Sequence, residues 1–167
     1  PTQFNDPKDF EKYPITFEAD RKLCENSGVD VIFLPTRSEI YPDDYRYVIS
    51  EKMFSKNLCG LHRPGHFDGV LTVVMKLLQI VEPDLAFFGE KDFQQLELIR
   101  GMAEAFFLKT RIVAGPTVRE EDGLAMSSRN VRLSPELRRL APEIYRSLTE
   151  EKTPEAVRKR LESKGFK

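Results

Sequence analysis

Residues 89–95 have the sequence GEKDFQQ and lie between a short apolar run and the start of a helical pattern. Gly89 permits a tight turn, and the first backbone amides of a helix favour an anion in front of them. Lys91 adds a positive charge for a phosphate or a carboxylate. A structural alternative is a capping box, with Asp92 as N-cap and Gln95 three residues later. The two interpretations are compatible, because a capped helix end can still bind an anion.

A second polar segment, residues 125–130, has the sequence AMSSRN. Two hydroxyls and a guanidinium in one loop can donate several hydrogen bonds to phosphate oxygens. The alternative is an ordinary polar loop ahead of the helix that Ser134 begins. The motif by itself does not decide between a binding loop and a connecting loop.

The chain's two histidines, His62 and His66, lie close together in the sequence HRPGH. The proline and glycine between them prevent the regular helix that would place both rings on one face. No cysteine or paired acid completes a metal site, so we assign none. We expect this loop to position Arg63 and His66 over a ligand, although His66 could equally be structural.

Two other charged features have simple interpretations. Asp20 lies within the first predicted helix and is expected to be a solvated charge. The charges of residues 119–122 are expected to form a solvated turn.

The elements that must position these segments alternate between helices and strands. Predicted helices cover residues 16–26, 51–58, 68–81 and 93–107, and two more begin at Ser134 and Thr153. Predicted strands cover residues 29–34, 45–49, 85–88 and 111–114. This alternation favours an α/β fold with a parallel sheet, in which ligands bind beyond the carboxyl ends of the strands. The loops after residues 34, 88 and 114 are therefore the expected binding region.

The clearest of these elements is the helix over residues 68–81. Its apolar residues fall at helical spacing in one stripe, formed by Val70, Val73, Val74, Leu77, Leu78 and Val81. We expect this stripe to face the core.

Composition narrows the class of protein. The 167 residues carry a formal net charge of -1, so a global basic field for nucleic acid is absent. No apolar run approaches the roughly 20 residues that a membrane span needs. Two cysteines are too few for a disulfide-built domain and indicate a reducing, cytoplasmic location.

Together these segments resemble the pantoate–β-alanine ligase family, also called pantothenate synthetases. The resemblance is carried by PTQF at 1–4, YP at 13–14, EIYP at 39–42, RPGHF at 63–67, GEKDFQQ at 89–95 and DGLAMSSRN at 122–130. Residues 126–129 look like the second of the paired HIGH-like and KMSKS-like motifs of a nucleotidyltransferase superfamily. The resemblance implies a Rossmann-like parallel sheet with flanking helices. It places residues 1–115 in a nucleotide- and pantoate-binding domain, and residues 116–167 in the KMSKS-like loop and the start of a smaller C-terminal lid domain.

The resemblance also implies an activity. ATP and pantoate would form pantoyl adenylate and pyrophosphate, and β-alanine would then displace AMP to give pantothenate. A Mg²⁺ ion would bridge phosphate oxygens. The family is typically homodimeric, and its partners are small molecules rather than nucleic acid or membranes.

The family's site residues carry over position by position. Catalytic roles fall on Lys91, Ser127, Ser128 and Arg129. Contacts to ATP fall on Gly89, Lys91, Asp92, Met126, Ser127, Ser128 and Arg129. Contacts to pantoate fall on Gln3, Gln95, Val73, Val74, His66 and Arg63. Tyr13 and Asp20 match positions that lie near the site behind these contacts.

The sequence departs from the family in three respects. Ile15 stands where members commonly have arginine. The family's first strand and HIGH-like histidines precede the PTQF stretch, and its lid domain continues beyond Lys167. We therefore expect a chain truncated at both ends and little turnover from it alone. The alternatives are an adenylyltransferase of the same fold, which would release its adenylated product, and a non-catalytic fragment.

Overall fold

The computed structural model describes residues 16–166, so the predictions for Gln3 and Tyr13 lie outside the described residues. The chain divides into two compact units, Pro1–Gly115 and Pro116–Lys167. Among the described residues, no helix combines the length and the apolar character that crossing a membrane requires.

The first unit contains helices and one pair of strands. Its helices are α1 (Phe17–Asn26), α2 (Arg37–Ile40), α3 (His66–Val81) and α4 (Phe93–Ala105). Short 3₁₀ turns cover Phe54–Lys56, Leu58–His62 and Glu90–Asp92. The strands are β1 (Leu85–Gly89) and β2 (Arg111–Gly115).

The two strands pair in parallel, from Leu85 opposite Arg111 to Gly89 opposite Gly115. Parallel strands cannot be joined by a tight turn, and α4 supplies the crossover between them. The predicted strands at 85–88 and 111–114 and the predicted helix between them are thus confirmed. The fold class is α/β, with a parallel sheet flanked by helices.

The core of this unit lies where α3 and α4 pack on the strands. Its buried residues come from these two helices and are Phe67, Val70, Leu71, Leu78, Leu98, Ile99 and Met102. Burial of each such side chain stabilises the fold by roughly 1.5–3 kcal/mol. The predicted helix over 68–81 is confirmed, but its stripe does not face the core throughout. Val81, the last residue of α3, is 54% exposed because the helix ends beyond the packed segment.

The predicted strand at residues 29–34 does not form. Val31 is 79% exposed and Leu34 is 67% exposed, although the run is strongly apolar. A strand needs a neighbour for its backbone hydrogen bonds, and the sheet has two strands, β1 and β2, within the described residues. The apolar content of residues 29–34 therefore predicted a strand, but no strand in the described residues pairs with this segment.

The predicted strand at residues 45–49 is also wrong. The backbone N–H of Tyr47 donates to Asp43 Oδ2 at 3.0 Å, and the N–H of Ile49 donates to Thr72 Oγ1 at 2.9 Å. These side chains satisfy the backbone groups that a strand partner would otherwise bind. The segment consequently runs as irregular chain against α3.

The predicted helix at residues 51–58 is replaced by the 3₁₀ turns at Phe54–Lys56 and Leu58–His62. The Glu51 carboxylate accepts the backbone N–H groups of Met53 and Ser55, at 2.9 and 2.6 Å. These bonds tighten the chain at the point where an α-helix was expected.

The second unit is helical after a short hairpin. Arg119 and Ala125 form an isolated antiparallel bridge, and a 3₁₀ turn covers Ser128–Arg132. The helices are α5 (Pro135–Leu140), α6 (Glu143–Glu150) and α7 (Pro154–Ser163). The hydroxyls of Ser134 and Thr153 cap α5 and α7, accepting the N–H groups of Leu137 and Ala156 at 3.2 Å each, as their sequence contexts predict.

The end of α4 carries local strain. The N–H of Leu108 donates back to Ala103 O at 2.9 Å, which places Phe107 at the position after the C-cap that favours glycine. Phe107 has a φ of 55° and is 91% exposed. A left-handed conformation disfavours a side chain with a β-carbon, and burial does not compensate for it here.

Replacing Phe107 with glycine should therefore stabilise the protein by on the order of 1 kcal/mol, measured as a higher urea midpoint at unchanged slope. Phe106→Gly is the matched control, because Phe106 has a φ of -101° and gains nothing from the change. An equal rise in both variants, or none in Phe107→Gly, would contradict the explanation from backbone strain.

Candidate functional site

The carboxyl ends of the two strands lie side by side, at Gly89 and Gly115. The 3₁₀ turn at Glu90–Asp92 leads from β1 directly into the 13-residue helix α4. Lys91 and Asp92 are exposed at this helix N-terminus. The structure thus places a positive side chain and the N-terminus of a helix at the sheet edge where α/β proteins bind ligands.

The capping alternative for this turn fails. Asp92 occupies the N-cap position, but within the described chain its side chain makes no cap hydrogen bond. Its φ and ψ of -99° and 57° differ from the extended backbone typical of a capping residue. The Asp92 carboxylate is therefore not needed to satisfy the helix and stays at the surface beside Lys91.

The two adjacent glutamines of α4 have different environments. Gln94 is 7% exposed, and its Nε2 donates to Phe54 O and Asn57 O at 2.8 Å each. Its Oε1 accepts the N–H of Cys59 at 3.0 Å. Gln95 makes none of these contacts and is only half-buried. Gln94 thus ties the segment before His62 to the first turn of α4, a role that the sequence analysis missed.

Arg63 and His66 contact each other within their loop. Arg63 Nη1 lies 3.1 Å from His66 Nε2, and the His66 ring lies 4.9 Å from the Phe67 ring. Gly65, with a φ of 75°, makes the turn into α3, so the two histidines lie on different elements, as expected. Among the described residues, no three His, Cys, Asp or Glu side chains converge as a metal site would require.

Val73 and Val74 lie on α3 and are half-buried. Val74 also packs against the core. This leaves part of an apolar surface available on the helix that packs against α4.

A lysine fastens the EIYP turn to the same helix. Lys76 Nζ donates to Ile40 O at 3.0 Å and to Asp43 Oδ1 at 2.8 Å, and it lies 4.8 Å from the Tyr41 ring centroid. The hydrogen bond from Lys76, followed by the one from the Tyr47 N–H, lowers the pKa of Asp43 from 3.8 to about 2. The sequence signal was the single lysine of α3.

Asp20 has a partner within its own helix turn. It lies exposed on α1, where both its carboxylate oxygens lie 3.2 Å from the Thr16 hydroxyl that donates to them. This local pair agrees with the interpretation as a surface charge.

In the second unit, residues 126–129 form a short loop, called here the 126–129 loop. The N–H of Met126 donates to Val118 O at 3.0 Å, and Ser127 Oγ accepts the N–H of Arg129 at 3.2 Å. Met126, Ser128 and Arg129 are exposed and Ser127 is half-buried. Hydroxyl and guanidinium donors are therefore presented together at the surface.

The acidic residues before this loop are not simply solvated, as the sequence analysis expected. Arg138 Nη2 donates to Glu120 Oε2 at 2.6 Å, and Nη1 donates to Asp122 Oδ2 at 2.5 Å. Hydrogen bonds from Asn130 and then Arg138 lower the pKa of Glu120. Those from Arg138 and then the Leu124 N–H lower the pKa of Asp122. A paired partner 16 to 18 residues away carries no local sequence signal.

Gln94→Leu should leave two carbonyls and one N–H without their partner and cost about 1–3 kcal/mol of stability. Hydrogen exchange should accelerate in peptides covering residues 54–62, where those groups lie. Gln95→Leu, one residue along the same helix, is the matched control and should leave both readouts nearly unchanged. Equal exchange in the two variants would show that the Gln94 amide does not hold this segment.

Comparison with known proteins finds relatives over nearly the whole chain. The family model for pantoate-beta-alanine ligase matches residues 1–166. A pantothenate synthetase of Bdellovibrio bacteriovorus is 58% identical over 99% of this chain, and one of Legionella pneumophila is 50% identical over the same share. The chain spans 66% of the length of each of these curated relatives, just under two thirds.

Solved structures give the same result for the fold. A pantoate-beta-alanine ligase from Francisella tularensis, complexed with beta-gamma ATP and beta-alanine, matches with a TM-score of 0.91 and 40% identity over 99% of this chain and 64% of that one. A pantothenate synthetase from Thermus thermophilus matches with a TM-score of 0.88 and 43% identity over 98% of this chain and 62% of that one. This chain belongs to the pantoate–β-alanine ligase family.

Proposed function

We propose that the full-length protein condenses pantoate with β-alanine at the expense of ATP, by way of pantoyl adenylate. The observation that carries the proposal is the Glu90–Asp92 turn, which exposes Lys91 and Asp92 at the N-terminus of α4, beyond the carboxyl end of β1. Family membership over residues 1–166 supports this reaction, and the Francisella relative was crystallised with an ATP compound and β-alanine.

The first step is the transfer of AMP to pantoate. A pantoate carboxylate oxygen attacks the α-phosphorus of ATP, the bond to the β-phosphate oxygen breaks, and pyrophosphate leaves with the electron pair. Lys91 and the amides of α4 are suited to hold the phosphates and stabilise the charge that develops there. We assign Asp92 to the ribose, with Gly89 permitting close approach. Ser127, Ser128 and Arg129 supply further donors to the phosphates.

The second step is acyl transfer. The neutral amine of β-alanine attacks the acyl carbon, the bond to the AMP oxygen breaks, and the nitrogen loses a proton as the amide forms. Positioning supplies much of the acceleration, because both reactants are held next to each other. We assign Gln95 to the polar groups of pantoate, Val73 and Val74 to its methyl groups, and Arg63 and His66 to the same side of the site. Gln3 would join them but lies outside the described residues.

We also propose a role for Mg²⁺ in this reaction. The donor set of the candidate site is largely cationic or hydroxylic, and no three metal-ligating side chains converge among the described residues. Such a set fits an ion that is held mainly by substrate phosphates, the usual mode for Mg²⁺. Bound in that way, Mg²⁺ would neutralise phosphate charge, while Lys91 and Arg129 would hold the oxygens that it leaves free.

For the whole protein we propose a cytoplasmic homodimer. Cys24 and Cys59 are both free thiols, which supports a reducing compartment. The dimer rests on the family resemblance.

The product decides between this reaction and its alternatives. The full-length protein with ATP, Mg²⁺, pantoate and β-alanine should yield AMP and pantothenate in equal amounts. Mass spectrometry measures both products. A stable adenylate as end product would identify an adenylyltransferase instead. AMP release independent of pantoate would overturn the assignment, and absence of pantoate binding in calorimetry would favour a non-catalytic protein.

Lys91→Ala in the full-length protein should lower kcat/KM by on the order of 10²–10³, because one preorganised charge is lost from the phosphates. Lys109→Ala is the matched control, since Lys109 is exposed at the opposite, amino end of β2. Steady-state AMP formation measures both variants. An unchanged rate in Lys91→Ala would show that the Glu90–Asp92 turn is not part of the site.

A further inference from the structure

The 126–129 loop is the continuation of a small hairpin, residues 118–126. The N–H of Glu120 donates to Leu124 O at 2.8 Å, and that of Met126 donates to Val118 O at 3.0 Å. Gly123, with a φ of 93°, makes the turn. Because Met126 is at once the last residue of the hairpin and the first of the loop, the placement of the hairpin sets where the loop begins.

Arg138 holds this hairpin from helix α5. Its planar guanidinium uses two nitrogens on two different carboxylates, those of Glu120 and Asp122, at 2.6 and 2.5 Å. All three side chains are half-buried, with Arg138 31% exposed, which reduces screening by water. The planar guanidinium of arginine donates hydrogen bonds in fixed directions, so it orients the two carboxylates as well as attracting them. A lysine could not reproduce this orientation.

A second attachment lies at the tip of the hairpin. Arg119 Cζ lies 3.6 Å from the centroid of the Tyr145 ring on α6, and Arg119 Nη1 donates to Gly123 O at 3.1 Å. A β-carbon at Gly123 would come within 2.9 Å of the Tyr145 ring. The turn of the hairpin is therefore held by both helices, since Gly123 lies close to α6 and the flanking Glu120 and Asp122 are paired with α5.

The exit of the loop is fixed to the same group. Asn130 Nδ2 donates to Glu120 Oε1 at 3.0 Å and to Ala125 O at 3.1 Å. Glu120 thus binds Arg138 with one carboxylate oxygen and the residue after the loop with the other. Entry and exit of the 126–129 loop both depend on a carboxylate that Arg138 orients.

We propose that Arg138 is a positioning residue for nucleotide binding: by holding Glu120 and Asp122, it fixes the donors of the 126–129 loop to the helices of the second unit. This inference rests on the proposed function, in which Ser127, Ser128 and Arg129 bind the phosphates of ATP. Arg138 does not itself contact substrate in this role. Its effect passes through the hairpin and through Asn130.

The first test needs no substrate. In the full-length protein, Arg138→Gln should accelerate hydrogen exchange in peptides covering residues 118–130, and Arg138→Lys should do so less. Arg139→Gln is the matched control, since Arg139 is exposed on the same helix and, among the described residues, donates only to Pro135 O of its own helix. Equal exchange in Arg138→Gln and Arg139→Gln would overturn the proposal.

The second test is kinetic. Arg138→Gln should raise the KM for ATP by about tenfold, the effect expected when charge-assisted bonds are lost, and leave the KM for pantoate near its original value. Asp122→Asn should produce a smaller rise, and adding it to Arg138→Gln should have little further effect because both act through one contact. A parallel rise in both KM values, or additive effects, would overturn the positioning role. If the unaltered protein forms no AMP, the proposed function fails, and the exchange experiment still decides whether Arg138 holds the loop.

Discussion

Parallel pairing of β1 with β2 is the constraint on which the first unit depends. Two parallel strands must be joined by a crossover, and α4 makes it by packing on α3 and on the strands. That geometry brings Gly89 and Gly115 together at one edge and requires the chain to leave β1 there. Lys91 and Asp92 lie at the N-terminus of α4 because the helix that buries Ile99 begins immediately after them.

Around this small sheet, much of the first unit is irregular chain. Hydrogen bonds from side chains, rather than backbone hydrogen bonds between strands, hold it in place. Gln94 binds three backbone groups of residues 54–59, Lys76 binds the turn at Ile40, and Thr72 binds Ile49. Each of these polar groups projects from one of the two helices that supply the buried core. The order of these segments therefore depends on the packing of α3 against α4, because a helix that moved would release the segments that it binds.

Features set by local sequence could be predicted. The stripe of α3, the serine and threonine caps of α5 and α7, and the turn at Gly65 depend on residues within a few positions of one another. Local sequence did not decide whether residues 29–34 form a strand, since pairing depends on a distant partner. The link between Arg138 and Glu120 is not predicted for the same reason, because the local sequence of residues 119–122 indicates a solvated turn.

Family resemblance identifies segments, but it does not separate the residue that contacts a ligand from the one that holds it in place. The two kinds of residue can be told apart by how many of their hydrogen-bonding groups are already bonded within the protein. Gln94 is almost fully buried. Its amide nitrogen donates to two backbone carbonyls and its amide oxygen accepts one backbone N–H, so few hydrogen-bonding positions are left for a substrate. Gln95, half-buried one position later, makes none of these bonds, and in the second unit Arg138 is likewise committed to Glu120 and Asp122. In both units, a side chain whose hydrogen bonds are committed to a neighbouring segment holds that segment in place, and this distinguishes it from the residues that we propose to contact the ligand.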